Sequence, residues 1–306
     1  MPAKPDPVEV LHRSFRSLID AKSGLTEIAS GMGFTEGCCY IPGREILIWS
    51  DIPGNRMHSW SESEGVSIFR EPSGNSNGNT FDNEGRILSC ETSGRQVSIT
   101  ELDGSVHPYI HQYGGRKLNS PNDIIVKSDG TIWFSDPDYG FLHPELGHGQ
   151  ELEQDANRVY RFEPDTRRIT AVVSDMDKPN GLAFSPDESI LYVSDTARTH
   201  GEDRNHHIMA FDVVNGEKLE NGRVFAEIDP WVPDGMRADE NGNLWVAAGD
   251  GVQCHNPKGR LIGKVHTPQV TANLSFGGPD LKTLFITSSG SVYSIPTRVA
   301  GATRPR

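Results

Sequence analysis

The feature that most constrains the fold of this chain is a short apolar segment that occurs six times along the sequence. Every copy contains β-branched or aromatic side chains, and three copies end in Ser-Asp. The copies are LIWSD, ILSCE, IWFSD, LYVSD, LWVAA and LFITS, which begin at Leu47, Ile87, Ile132, Leu191, Leu244 and Leu284. Short apolar segments of this composition are typical of buried β-strands. Their recurrence at intervals of 40 to 59 residues indicates one structural unit repeated along the chain.

Each copy is flanked by further segments that resemble strands. An acidic or glycine-bearing turn such as DNEGR precedes most copies, and a third strand such as RVYRF follows. Most copies then have a more polar fourth strand such as RITAVV. Four strands repeated six times, in units of roughly 40–45 residues, are the signature of a β-propeller. We therefore predict an all-β fold, a six-bladed β-propeller, since a β-sandwich or two β domains would not explain six copies in one register.

The two ends of the propeller are expected to meet in one blade. The sixth copy lacks a fourth strand, because the chain nearly ends after SVYSIPTR. The segment LTEIAS, residues 25–30, resembles the other outer strands and precedes the first blade. We predict that it completes the last blade, which would hide two strand edges that otherwise favour aggregation. The propeller would then span residues 24–300, followed by a tail over 301–306.

Residues 1–23 form an extension before the propeller in this interpretation. Its apolar residues recur at helical spacing, at Val8, Leu11, Phe15, Leu18 and Ile19. This spacing predicts a short amphipathic helix over residues 8–20 that lies on the outside of the main body.

A column of polar residues accompanies the repeat. Ten or eleven positions before each apolar segment stands an oxygen-bearing side chain, and a glycine follows it in four copies. The six residues are Glu36, Asn77, Asn122, Asn180, Asp234 and Asn273. The innermost strands of a propeller surround its axis, so these side chains are expected to converge at one mouth of the central tunnel.

The composition of the column favours a hard divalent cation. Ca²⁺ takes about 6–8 oxygen ligands from carboxylates, amides, carbonyls and water. Two carboxylates with several amides match that preference, and the absence of His and Cys from the column argues against zinc as the native ion. The alternative is that Asn and Gly merely build turns between blades. That alternative has equal weight for Asn77 and Asn273, but it explains Glu36 and Asp234 poorly.

Longer motifs around the column resemble a known family. FTEGCCY, NGNTFDNEGR, SPNDIIVKSDGTIWFSDPDYG, PNGLAFSPDESILYVSDT and PDGMRADENGNLWVA follow one another along residues 30–290. In this order they are similar to the gluconolactonase and regucalcin-like (senescence marker protein) family, in particular its bacterial gluconolactonase branch. The resemblance implies a six-bladed propeller with one catalytic divalent metal ion in the tunnel, Ca²⁺ first, with Zn²⁺, Mn²⁺ or Mg²⁺ as alternatives.

The resemblance also implies roles for individual residues. Glu36, Asn180 and Asp234 match the metal ligands of the family, and Asn122 matches a residue beside the metal that meets bound water or substrate. Asp123 follows Asn122, as in the family, and would contact substrate hydroxyls. Regucalcin-type members have an Arg at the position of Ser120, so that substrate contact does not transfer to this chain.

The implied reaction is hydrolysis of a sugar lactone, D-glucono-1,5-lactone first, to the sugar acid. The metal would polarise the lactone carbonyl, and Asp234 would take a proton from the attacking water and return it to the leaving ring oxygen. A nucleophilic Ser is not required, and no GxSxG sequence occurs.

Connections between second and third strands should return to the same mouth. Two of them are long, residues 137–157 and 196–206, and are expected to cover the site and select the substrate. Asp136 and Asp195 begin these connections and, with Asn77, are candidate substrate contacts; contact of Asp136 or Asp195 with a second ion is an alternative. Hydrogen bonding of Asp136 and Asp195 to nearby backbone is an equal alternative.

Other functions remain open from sequence alone. The same scaffold could hydrolyse another lactone, an aryl ester or an organophosphate, or act as a non-catalytic propeller that binds calcium or a protein. A strictosidine-synthase-like propeller would not need the polar column.

The net charge of −13 argues against nucleic acid or anionic membranes as partners. No signal peptide or apolar span is evident, and the four cysteines have no framework spacing. We therefore expect a reduced, cytoplasmic protein, monomeric or dimeric, whose partner is a small sugar lactone.

Overall fold

The six repeated apolar segments form the second strands of six antiparallel sheets in the computed structural model, which describes residues 6–142 and 151–302. The innermost strands are Thr35–Ile41, Ser76–Phe81, Ile124–Val126, Pro179–Phe184, Met236–Ala238 and Thr271–Gly277. The second strands are Ile46–Asp51, Ile87–Glu91, Ile132–Asp136, Ile190–Asp195, Leu244–Ala248 and Thr283–Ser288. Each innermost strand packs against the innermost strands of its two neighbours, which closes a ring. The predicted six-bladed propeller is confirmed.

The outer half of each blade consists of the third and fourth strands. The third strands are Arg56–Ser61, Gln96–Thr100, Arg158–Glu163, His207–Val214, Gly251–His255 and Ser291–Pro296. The fourth strands are Gly65–Arg70, Val106–Ile110, Arg168–Val173, Lys218–Glu227, Leu261–His266 and, in the sixth blade, Thr26–Ala29. Thr26–Ala29 pairs antiparallel with Ser291–Pro296, so a strand that precedes the first blade in sequence completes the sixth blade.

The remaining elements are short. Gln112–Tyr113 and Arg116–Lys117 form a two-stranded hairpin, and Tyr139–Leu142 is the one α-helix among the described residues. Three 3₁₀ helices cover Arg13–Ser17, Pro42–Arg44 and Ala197–His200. Within the described parts of the chain, no helix has the length and apolar character needed to cross a membrane.

The N-terminal extension differs from the predicted helix over residues 8–20. Val8–Val10 is a β-strand that pairs with Leu261–His266 and extends the fifth blade to five strands, and only Arg13–Ser17 is helical. The outer strand of blade five presented a free edge, and pairing with it satisfies the backbone groups of Val8–Val10. The apolar spacing instead places Phe15 in the core, where its ring lies directly on Gly263.

Apolar side chains of the second strands fill the space between neighbouring blades. Trp49, Trp133 and Trp245 are fully buried there, and each such side chain contributes about 1.5–3 kcal/mol by its removal from water. All four cysteines are buried free thiols. The core thus fixes the blades, and with them the inner strand ends, in a rigid ring. The predicted tail over residues 301–306 lies partly outside the described residues, since only 301 and 302 are described.

Candidate active site

The polar column forms a ring at one mouth of the tunnel. Glu36, Asn77 and Asn180 are each the second residue of an innermost strand, and Asp234 lies just ahead of one. The glycines that follow column residues allow close packing between neighbouring strands. A Cβ on Gly181 would lie 2.2 Å from the carbonyl oxygen of Asp234, and the equivalent Cβ on Gly37 would lie 1.9 Å from that of Asn77. Any larger residue would push the ring apart.

A cavity of about 640 Å³ opens at this mouth. Five predicted site residues line it, namely Glu36, Asn77, Asn122, Asn180 and Asp234. Its outer wall is built from aromatic, apolar and hydroxyl-bearing side chains, which include Phe34, Tyr139, Thr196, His200, Trp231 and Val270. The volume falls in the range of roughly 300–1,000 Å³ that is usual for small-molecule sites.

The two column carboxylates are electrostatically strained. Burial raises the pKa of Glu36 to about 7, although hydrogen bonds from the Asn273 side chain and the Gly37 N–H oppose this shift. Burial, and then the nearby Glu36 and Asp123, raise the pKa of Asp234 well above its usual range. No Lys or Arg among the described residues forms an ion pair with either carboxylate. Two neighbouring buried carboxylates without a cationic partner favour a bound cation.

The donor atoms fit a hard divalent ion. Oδ1 of Asp234 is inaccessible to solvent and has no hydrogen-bond partner among the described residues. An unpartnered buried carboxylate oxygen calls for a partner such as a metal ion. Within the described ranges, no three His, Cys, Asp or Glu side chains are grouped as a metal cluster, so the candidate ligand set combines two carboxylates with the amides of Asn122 and Asn180. All of these are oxygen ligands, which Ca²⁺ prefers.

Asp123 lies beneath the cavity, not in its wall. Its Oδ2 accepts a hydrogen bond of 2.9 Å from the Leu182 N–H and lies 3.8 Å from Nη1 of Arg237. In the third blade Asp123 occupies the position that a glycine occupies in four other blades, so its carboxylate reaches across to the next inner strand. The structure therefore does not bring Asp123 to the position expected for a contact with substrate hydroxyls.

Asp136 and Asp195 also lie away from the cavity. Asp195 accepts hydrogen bonds from the backbone N–H groups of Asp177, Lys178 and Ala197 and from the Asn205 side chain, each at 3.1 Å. Oδ2 of Asp136 accepts from the Asn119 N–H at 2.9 Å. Strand-end hydrogen bonding to the backbone, which was the alternative for these two residues, is present at both, and neither residue lines the cavity.

The long connections contribute to the cavity wall. Tyr139 comes from the first of them, and Thr196, Thr199 and His200 come from the second. The Tyr139 hydroxyl contacts that of Thr196, which joins the two connections. Ser120 holds the first connection in place, because its Oγ accepts from the Gly140 N–H and donates to the Pro137 carbonyl. Residues 143–150 of the predicted covering loop 137–157 lie outside the described residues.

Sequence reasoning missed three contributions to the site. Nδ2 of Asn273 donates to Oε2 of Glu36 at 3.0 Å, so Asn273 orients a carboxylate and does not line the cavity. Arg237 stands three residues after Asp234, where the other five copies have an uncharged residue, and this difference could have drawn attention to it. Trp231 lines the cavity, but it belongs to no repeated pattern in the sequence that could have predicted this position.

The fold and the site together define a six-bladed propeller enzyme with an acidic and amide-rich pocket on its axis. Comparison with known families then specifies the class further. The family model described as SMP-30/Gluconolactonase/LRE-like region matches residues 34–290, and the chain belongs to this family.

Individual relatives agree with the family assignment. The chain is 31% identical to the gluconolactonase of Zymomonas mobilis, over 93% of this chain and 84% of the relative. A solved gluconolactonase structure from Xanthomonas campestris is 34% identical, with a TM-score of 0.89 and 97% of both chains covered. The calcium-binding protein regucalcin from Agrobacterium tumefaciens shares the fold, at 19% identity and a TM-score of 0.75 over 91% of this chain and 95% of that one. The chain is accordingly a lactone hydrolase.

Proposed function

We propose that this chain hydrolyses D-glucono-1,5-lactone to gluconate with the aid of one divalent cation, Ca²⁺ by preference. The observation that carries the proposal is the convergence of Glu36, Asn180 and Asp234 on one cavity wall, with an Asp234 oxygen that has no partner among the described residues. The gluconolactonase relatives support the choice of substrate. The acidic and amide character of the wall supports the choice of cation.

The proposed ligands are the side chains of Glu36, Asn180 and Asp234, with Asn122 beside them. When bound, the cation supplies Lewis-acid stabilisation of negative charge on the lactone carbonyl oxygen. Asn273 holds Glu36 in place through its 3.0 Å hydrogen bond, which limits the reorganisation needed to accept the ion.

Asp234 is the proposed proton carrier. Water attacks the carbonyl carbon while Asp234 accepts its proton, and the same carboxyl returns the proton to the ring oxygen as the carbon–oxygen bond breaks. Burial and the neighbouring Glu36 raise the pKa of Asp234, whereas a cation would lower it. A bound cation would therefore favour the ionised form of Asp234, which is the form that can accept a proton from water.

The amides of Asn77 and Asn122 are placed to bind the substrate. Both line the cavity on the side that leads from Glu36 to Asn180 around the ring. An amide side chain both donates and accepts, so it can hold sugar hydroxyls in one orientation. Thr196 and Thr199, from the second long connection, add hydroxyls to the cavity wall.

The proposed function is tested by the acid released from D-glucono-1,5-lactone in a pH-stat, compared with the spontaneous rate. We expect wild-type protein to accelerate the reaction, EDTA to abolish the acceleration, and added Ca²⁺ to restore it. Asp234→Asn should lower kcat by about 10²–10⁴-fold, the usual contribution of a general acid or base. Full activity in metal-free protein, or in Asp234→Asn, would contradict the mechanism.

A further inference from the structure

Trp231 stands at the rim of the cavity in an unusual conformation. Its side chain lines the cavity, and the residue is 48% exposed, whereas Trp49, Trp133 and Trp245 are fully buried. Its backbone φ is +75°, in the left-handed region that bulky residues rarely adopt. A bulky residue held at such a φ is strained, and backbone strain of this kind clusters at functional sites.

The segment around Trp231 is held firmly, so its exposure is not a matter of a loose loop. Gln253 donates to the Asp229 carbonyl at 2.7 Å, and the Gly249 N–H donates to the Pro230 carbonyl at 3.2 Å. Val232, the next residue, is buried, and the Asp234 N–H donates to the Ala247 carbonyl. The same anchored segment therefore carries both Trp231 and the proposed proton carrier.

Gly249 makes this arrangement possible. A Cβ on Gly249 would lie 2.6 Å from the Cβ of Trp231 and 2.8 Å from the Pro230 carbonyl oxygen. Because Gly249 has no side chain, the segment that contains Pro230 and Trp231 can pack closely against blade five while the indole lines the cavity.

We propose that the indole face of Trp231 is a stacking platform for the sugar ring and determines which lactones the site accepts. This inference rests on the proposed function and refines its substrate class. A pyranose lactone whose hydroxyls all point outward from the ring edge presents only C–H groups on its two faces. These hydrogens are slightly positive and complement the negative face of an aromatic ring. The hydroxyls remain free for the amides and threonines of the wall.

The preferred substrates are accordingly 1,5-lactones with outward-pointing hydroxyls, of which D-glucono-1,5-lactone is one. An epimer with an axial hydroxyl, such as D-galactono-1,5-lactone, would place a polar group on one face of the ring. With that face against the indole, the hydroxyl would lose water without gaining a hydrogen bond. Trp231 thus discriminates between epimers without any hydrogen bond of its own.

The first test compares Trp231→Phe with Trp231→Gly. Glycine accepts a φ of +75° without strain, so Trp231→Gly should keep the backbone of this turn and fold. Its KM for D-glucono-1,5-lactone should rise about two- to tenfold, in line with the ~0.5–1.5 kcal/mol of an aromatic contact. Its kcat should change less than about twofold, because stacking acts equally in the ground and transition states. Trp231→Phe should keep most of the wild-type KM.

The specificity ratio is the second measurement. Wild type should prefer the glucono- over the galactono-lactone in kcat/KM, and Trp231→Gly should lose most of that preference. A third measurement uses 1,5-anhydro-D-glucitol, which cannot be hydrolysed. It should protect wild-type tryptophan fluorescence from iodide quenching, and this protection should vanish in Trp231→Gly.

The outcomes separate the two proposals. If wild type hydrolyses lactones and Trp231→Gly has an unchanged KM and epimer ratio, the stacking proposal is wrong and the proposed function stands. If wild type does not hydrolyse lactones but the anhydro sugar still protects Trp231, the proposed function fails and sugar binding stands. Protection that depends on protein concentration and not on the sugar would assign Trp231 to contacts between copies of the chain and overturn the proposal.

Discussion

Two groups of buried acids lie at the same end of the paired first and second strands. The entry acids, Glu36 and Asp234, stand where innermost strands begin, and the exit acids, Asp51, Asp136 and Asp195, stand where second strands end. Both ends face the same mouth of the propeller, so position alone does not distinguish them. Their hydrogen-bond partners do.

Two of the exit acids, Asp51 and Asp195, each accept hydrogen bonds from three backbone N–H groups. Oδ1 of Asp51 accepts from the N–H groups of Gly33, Phe34 and Gly54. The entry acids lie instead beside each other and beside amides, with Asp234 Oδ1 lacking a partner among the described residues. A buried acid that the backbone satisfies is structural, whereas one left short of donors can bind a ligand.

The substitution Asp195→Ala tests whether an exit acid is structural, and it should have the largest effect on stability. The change leaves four donors without an acceptor, and each costs about 1–3 kcal/mol when buried. We expect the free energy of unfolding in urea to fall by at least about 3 kcal/mol, with unchanged KM in the folded protein. Asp212→Ala, at an exposed position in the same blade, is the control and should change stability by less than about 1 kcal/mol. Unchanged stability with lost activity would place Asp195 in the site instead.

The substitution Glu36→Gln should weaken ligand binding and leave stability intact, the reverse of the result expected for Asp195→Ala. Loss of a proposed ligand should weaken Ca²⁺ binding in titration calorimetry by at least the ~10–100-fold that is usual for outer-shell partners. Stability of the metal-free protein should hold or rise, because a buried uncompensated carboxylate is removed. Glu27→Gln on the exposed outer strand of blade six is the matched control. Wild-type Ca²⁺ affinity in Glu36→Gln would refute the assigned ligand.

Asp136 combines features of the two groups of acids. Its Oδ2 accepts a hydrogen bond from the backbone, whereas its Oδ1 has no partner among the described residues. Burial raises its pKa from 3.8 to about 7, against hydrogen bonds from Asn119 and Ser120. The folded state therefore holds this proton more tightly than the unfolded state, and stability falls as pH rises from about 4 through 7. Asp136→Asn should reduce the stability lost between pH 5 and pH 8 by about 1–2 kcal/mol in urea unfolding. An identical pH dependence in both proteins would show that Asp136 is ionised throughout.

Much of the fold and of the candidate site could be predicted, since both follow from a repeat. The apolar segments from Leu47 to Leu284 indicated the number of blades, and the column at Glu36, Asn180 and Asp234 indicated the cavity wall. The predicted helix over residues 8–20 was wrong outside Arg13–Ser17, because an amphipathic spacing does not show whether a free strand edge is near. Val8–Val10 pairs with such an edge, the outer strand of blade five.

The sequence by itself determined the repeating unit and the residues that converge on the axis, because periodic patterns are local properties of the chain. Only the tertiary structure decided which acids are satisfied, since hydrogen-bond donors come from distant segments. Asn273, which orients Glu36, lies 237 residues away from it in sequence. Trp231 likewise owes its exposed, strained position to the absence of a side chain at Gly249 on the neighbouring strand turn. Contacts of this kind are set by packing in three dimensions, and no pattern along the chain encodes them.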